Sequence, residues 1–221
     1  DSPRWIETVQ DLRVNFPTYG SQCEANEYMT RIVGGQNLLL WAGLYPERFG
    51  NFVLRTNEWA VEMLKAQIKA ADGLIDGMVI WGDVAYRKDL FFHPDYWRKY
   101  YKPGLKAMVD VCHENNLPVI YHGCGNVHRI FEDYIEVGID SYNPLEAKAG
   151  MDVVDLRRKY GHQIGFCGNM DVMEWAGCSK EELKAIVLRK LNAAKGGGMI
   201  FQSDHSVPSD VSAENYEYVV N

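Results

Sequence analysis

What the sequence has little of narrows its function before any motif is weighed. It has no apolar run approaching the roughly 18 residues that a helix needs to span a bilayer, and Asp1-Ser2-Pro3-Arg4-Trp5 does not read as a signal peptide. The protein is therefore expected to be cytosolic and to have no membrane partner. Basic residues are sparse and scattered: 23 Lys and Arg stand against 30 Asp and Glu, a formal charge of −7. That balance excludes a nucleic-acid binder that works by neutralising phosphates. The five cysteines, Cys23, Cys112, Cys124, Cys167 and Cys178, are odd in number and widely spaced. They lack the density of a disulfide scaffold, so reduced thiols and metal ligation are expected instead. Hydrophobic content of 47% with ordinary glycine and proline usage leaves no signature of disorder. The expectation is one globular domain over residues 1–221.

Among the residues that are present, the stretch Pro118-Val119-Ile120-Tyr121-His122-Gly123-Cys124-Gly125-Asn126 organises the rest. A short apolar run introduced by proline and closed by glycines reads as a buried strand opening into a tight turn. Side chains of a strand alternate faces, so His122 and Cys124 point the same way and can share one metal ion. The same pair also fits a packed role, the imidazole on a backbone carbonyl and the thiol as a small hydrophobe.

Around that stretch, strands and helices alternate six times. Strands are expected at 14–21, 77–83, 118–124, 139–143, 163–168 and 199–203. Helices are expected at 5–13, 24–44, 46–71, 95–116 with a break at Pro103, 126–137, 151–160 and 180–195. Ser179 with Glu182 forms a capping box for the last of these, and Ser212 caps a terminal helix. Strands that are apolar throughout are buried on both faces, which means a parallel sheet with helices outside, either a doubly wound sheet or a β/α barrel. Gln22, Cys23, Asp83, His122, Cys124, Asn143, Glu146, Asn169, Asp171, Asp204 and His205 all fall at carboxyl ends of strands. In a β/α barrel those ends meet at one mouth, where active sites are built. The predicted fold is therefore α/β, a (β/α)8 TIM barrel. It is incomplete, because about six units are present and a closed barrel has eight over about 250 residues. The chain is expected to lack an amino-terminal quarter or third and, with two open sheet edges, to aggregate or recruit a partner strand.

Six segments in order, GMVIWGD, HPDYWRKYYKPGLKAM, PVIYHGCGN, GIDSYNPLE, YGHQIGFCGNMD and GGGMIFQSDHSVPSDVSAEN, resemble the uroporphyrinogen decarboxylase superfamily over residues 47–215. That superfamily also contains corrinoid-linked methyltransferases such as methylcobamide:coenzyme M methyltransferase. The resemblance implies the same barrel. The methyltransferases hold zinc with a His-x-Cys pair and a distant cysteine, and His122 and Cys124 match the pair. The distant position is occupied by His205, so His122, Cys124 and His205 are the implied zinc ligands. Imidazole and thiolate both serve tetrahedral zinc, and three protein ligands leave an open position for catalysis.

The implied activity is a zinc-dependent methyl transfer between a corrinoid protein and a small thiol or methyl donor. Asp83, Tyr28 and His205 are the implied catalytic residues, and Asn169, Asp171 and Glu146 line the implied cofactor-binding mouth. Two alternatives stay open. Uroporphyrinogen decarboxylases, which use no cofactor, have a tyrosine in their middle section and a late histidine that Tyr28 and His205 match. A non-catalytic barrel that docks a corrinoid or tetrapyrrole partner is the other.

Overall fold

The structure is a computed structural model and describes residues 3–221. A first helix, α1 (Pro3–Arg13), leads into β1 (Tyr19–Cys23), α2 (Ala25–Val33), α3 (Gly35–Leu44) and the long α4 (Pro46–Ala71). Then come β2 (Gly77–Trp81), α5 (Pro94–Tyr100), α6 (Lys102–Glu114), β3 (Val119–His122), α7 (Phe131–Val137), β4 (Ser141–Asn143) and α8 (Val153–Tyr160). The chain closes with β5 (Gly165–Met170), α9 (Val172–Gly177), α10 (Lys180–Ala193), β6 (Met199–Ser203) and α11 (Ala213–Val220). No helix among the described residues is long and apolar enough to cross a membrane.

The six strands form one parallel sheet in the order β1-β2-β3-β4-β5-β6. Every strand neighbours its predecessor, so the winding never reverses. A doubly wound sheet has a point where the strand order turns back, whereas this is the arc of a (β/α)8 barrel that does not close. One register row runs Cys23, Trp81, His122 and Asn143 across the first four strands. The adjacent row of opposite parity runs Gln22, Ile80, Tyr121, Tyr142 and Phe166, and faces the helices. Tyr121 packs there at 4.7 Å from Tyr134 of α7, and Tyr134 at 5.2 Å from Tyr142. Each such buried ring contributes about 2–3 kcal/mol of apolar transfer.

The observed elements depart from expectation at identifiable places. The first strand begins at Tyr19 rather than Val14. Asn15 and Phe16 still donate to Leu12 O in the turn that ends α1, and Pro17 has no N–H for a ladder. The expected helix 24–44 is two helices, broken at Gly34, whose φ of 79° and ψ of 146° no α-helix contains. The break expected at Pro103 falls at Tyr101, and Pro103 sits in the first turn of α6, where its missing N–H costs nothing. Helix α9 was not anticipated. The cap of α10 has the expected form: Ser179 accepts from Glu182 N, and the Glu182 carboxylate accepts from Ser179 N at 2.8 Å.

Candidate metal centre

The row that ends β1 to β4 carries the site. His122 is the last residue of β3, and Cys124 follows one glycine later, so alternation puts imidazole and thiol on one side with Sγ 3.7 Å from Nε2. Asp83 leaves β2 beside them, and its Oδ1 accepts from Cys124 N at 2.8 Å. Among the described residues, Asp83, His122 and Cys124 are the one group of three ligand-type side chains with donor atoms all within 4.8 Å of one another. All three are half-buried.

Backbone struts hold the two turns together. Tyr121 and Tyr142, on the helix-facing row, send their hydroxyls past the strand ends: Tyr121 donates to Gly82 O and Tyr142 to Gly123 O, each at 2.8 Å. A Cβ on Gly82 would stand 2.2 Å from the Tyr121 hydroxyl, and one on Gly123 would stand 2.8 Å from that of Tyr142. Glycine at both places is therefore required by the close approach. Gly125, at φ 85°, lets the chain turn back so that its N–H reaches Glu146 Oε2 at 2.7 Å. On the β1 side, the Asn26 amide donates to Asp83 O, and Asp83 N donates to Glu27 Oε1 at 3.3 Å.

The His122 ring is gripped from two sides. Trp81 lies against it with centroids 4.3 Å apart, and the Trp81 indole N–H donates to Ser21 Oγ at 2.7 Å. Asn143 Oδ1 meets His122 Nδ1 at 2.5 Å. Burial pushes the Cys124 thiol up to about 12, with the charges of Asp83 and Glu146 adding to the shift. The thiol is thus protonated at neutral pH unless a cation displaces its proton. Behind the site, burial raises the Glu24 carboxyl to about 8. The Tyr121 hydroxyl beside it is spent on Gly82 O, and among the described residues neither Glu24 oxygen has a hydrogen-bond partner.

The other expected site residues lie elsewhere. His205 is exposed beyond β6 and is not part of the Asp83 group. Its neighbour Asp204 is buried and accepts from Ala147 N and Val172 N at 3.0 and 3.3 Å. Tyr28 pairs with Gln22 and packs edge-on against Trp59 of α4 at 4.6 Å. Gln22 alternates with Cys23, so this contact belongs to the helix-facing side of the sheet, away from His122.

Asn169 is fully buried, with Oδ1 accepting from Val153 N and Lys190 Nζ and the amide donating to Leu145 O and Met151 O. Every hydrogen-bonding group on it is used inside the fold, which leaves nothing for a cofactor. Asp171 caps α9 by accepting from Met173 N at 2.9 Å. Glu146 holds Gly125 N and pairs with Lys148 at 3.3 Å, so it supports the turn that carries His122 and Cys124. Trp81, Tyr121 and Tyr142 were not singled out from sequence, where they read as apolar strand filling. The one signal for them is proximity to a strand-end polar residue: Trp81 is two positions from Asp83, Tyr121 adjoins His122 and Tyr142 adjoins Asn143.

Comparison with known proteins bears on this geometry. The family model described as uroporphyrinogen decarboxylase (URO-D) matches residues 8–221. A uroporphyrinogen decarboxylase of Actinobacillus succinogenes is 23% identical over 184 residues, 80% of this chain and 48% of that protein. A solved methyltransferase from Methanosarcina mazei superposes with a TM-score of 0.74 at 20% identity, covering 99% of this chain and 62% of that one. The chain thus spans about half the length of the curated relative and under two thirds of the solved structure. At that identity the solved structure speaks for the fold, and it has the barrel of which this chain forms six strands.

Proposed function

The chain belongs to the uroporphyrinogen decarboxylase family, and from that premise we propose that it is a zinc-dependent methyltransferase, moving a methyl group between a corrinoid protein and a small thiol or methyl donor. The observation that carries the reading is the convergence of Asp83, His122 and Cys124. With Zn–S of about 2.3 Å and Zn–N of about 2.0–2.1 Å, two ligands of a tetrahedral zinc stand about 3.6 Å apart; Cys124 Sγ and His122 Nε2 are 3.7 Å apart. Three protein donors with a position to spare is the pattern of a catalytic rather than a structural zinc. The third donor in this proposal is Asp83, not His205.

Zinc bound there supplies acidity, lowering the pKa of a coordinated thiol or water so that an anionic nucleophile is present near neutral pH. The chain's own residues prepare the place. Asp83 and Cys124 would offer two negative charges to a divalent cation, the Cys124 proton passing to solvent. Asn143 and Trp81 fix the imidazole, while Tyr121, Tyr142 and Glu146 keep the two ligand turns at a constant separation. The donors face the carboxyl ends of the strands, the side on which a corrinoid partner would dock.

A second reading is cofactor-free decarboxylation, which the similarity to a named uroporphyrinogen decarboxylase supports. Metal analysis and assay separate the two. The purified protein is expected to hold one zinc per chain and to lose it in Asp83→Ala, His122→Ala and Cys124→Ser, with a drop beyond the roughly 10–100-fold typical of supporting residues. His205→Ala should keep its zinc. Methyl transfer from methylcobalamin to a panel of thiols then reports activity. Absence of zinc together with carbon dioxide release from uroporphyrinogen would replace this reading by the second one.

A further inference from the structure

In the sheet register the residue beside His122 is Asn143. Its carbonyl O accepts from Gly123 N at 2.9 Å, tying it to the ligand turn. Its side-chain amide lies between two groups, with Nδ2 3.4 Å from Cys167 O and Oδ1 2.5 Å from His122 Nδ1. An amide that turns its NH2 toward a carbonyl must turn its oxygen to the opposite side, and that oxygen can only accept. The proton of a neutral His122 ring is then on Nδ1, and the lone pair is on Nε2. Nε2 is the nitrogen that faces Cys124 Sγ.

We propose that Asn143 is a positioning residue that locks His122 in the Nδ1–H tautomer and aims the free Nε2 lone pair at the corner formed by Asp83 and Cys124. In water a neutral imidazole favours the opposite tautomer, so an unassisted His122 would present a proton, not a lone pair, to a cation. Trp81 supplies the complementary restraint. Its indole, anchored on Ser21 Oγ, packs against the imidazole at a 45° tilt and opposes rotation about the Cβ–Cγ bond, while Asn143 decides which nitrogen carries the hydrogen. The value of the lone pair as a metal donor rests on the zinc reading. The tautomer itself does not.

The test begins with the metal-free protein. Long-range proton–nitrogen correlation spectra of histidine-labelled protein, taken well above the ordinary imidazole pKa of about 6.5 and assigned with His122→Gln, are expected to show His122 as Nδ1–H. Asn143→Asp keeps an acceptor at the same place and should preserve that tautomer. Asn143→Leu and the smaller Asn143→Ser should shift His122 to Nε2–H or to a mixture. In zinc titrations the Leu and Ser variants are expected to lose about 10–100-fold in affinity, with the Asp variant recovering most of it. An Nε2–H ring in the unsubstituted protein, which needs no variant to fold, overturns the proposal; so does an unchanged tautomer in both Leu and Ser variants. If the unsubstituted protein binds no zinc yet shows the Asn143-dependent tautomer, the zinc reading falls and the positioning role stands.

Discussion

Glu24 is the residue at which burial and charge conflict most. Its carboxyl is 2% exposed, sits behind Gly82 and among tyrosines, and is raised from 4.5 to about 8 because burial penalises the ionised form. A group whose folded pKa is raised above its unfolded value stabilises fully below the unfolded value and loses that contribution as pH rises through the folded one. Stability should therefore fall between about 4.5 and about 8, with a limiting slope of about 1.4 kcal/mol per pH unit. Glu24→Gln removes the charge while keeping the shape. It is expected to flatten the slope and to stabilise the protein by about 1–3 kcal/mol above the window, once relaxation and water entry are allowed for. Urea unfolding at pH values on either side of the window measures it, and an unchanged slope in Glu24→Gln would remove Glu24 as its source. Nothing in the sequence marks Glu24, which reads as an ordinary helix-start carboxylate. His122 and Cys124 were legible because strand alternation is a rule about neighbours in sequence. Asp83 was legible only as a strand-end carboxylate. Its place beside Cys124 follows from the Trp81–His122 register, which single-sequence patterning does not contain.

At the scale of elements, the two helix starts marked by a serine were legible, because caps are local chemistry, whereas the starts of α3 and α9 were not. Ser179 and Ser212 accept from the third residue of their helices, as expected from sequence. The division between α2 and α3 was not legible, since a glycine within a helical pattern breaks it only where tertiary contacts demand a turn. The anchoring of α7 was equally hidden. Asp133 of α7 accepts from Arg98 Nε of α5 at 3.0 Å and from Lys102 Nζ of α6 at 2.8 Å, residues more than thirty positions away. Burial alone would raise its carboxyl, but the hydrogen bonds and charges of Arg98 and Lys102 outweigh burial and hold it below the usual carboxylate range. A depressed carboxylate stabilises above the unfolded pKa and ceases to do so as pH falls through the folded value. Asp133→Ala should cost roughly 1–3 kcal/mol at neutral pH, by leaving Arg98 and Lys102 facing an empty acceptor. The difference from the unsubstituted protein should shrink in acid. Thermal unfolding at neutral and acidic pH tests this, and an equal cost at both would assign the loss to packing instead of charge.

For the whole molecule, the decisive property is the arc itself. Alternation fits a doubly wound sheet as well as a barrel; the barrel was legible from polar residues at the carboxyl ends of the strands, and the openness from a count of strands. What alternation could not show is how apolar the open face is. Among the described residues β1 and β6 pair on one side only, so both present a row of unpaired backbone groups. Next to those edges, Tyr19 on β1 and Ile200 on β6 are 39% and 53% exposed. In a closed barrel such residues fill interior layers. A parallel edge with apolar side chains beside it is a template for another strand, and nothing in β6 (Met199–Ser203) carries a charge to oppose pairing. Residues 1–221 expressed alone are therefore expected to self-associate through these edges. A lysine on the edge strand is a common natural block to pairing, so Ile200→Lys combined with Tyr19→Lys should lower the apparent mass in light scattering without changing the helical signal in circular dichroism. Zinc binding should survive both substitutions, because Asp83, His122 and Cys124 lie on the interior strands β2 and β3 and their turns. A monodisperse monomer of the unsubstituted chain at micromolar concentration would show that the edges are protected in solution.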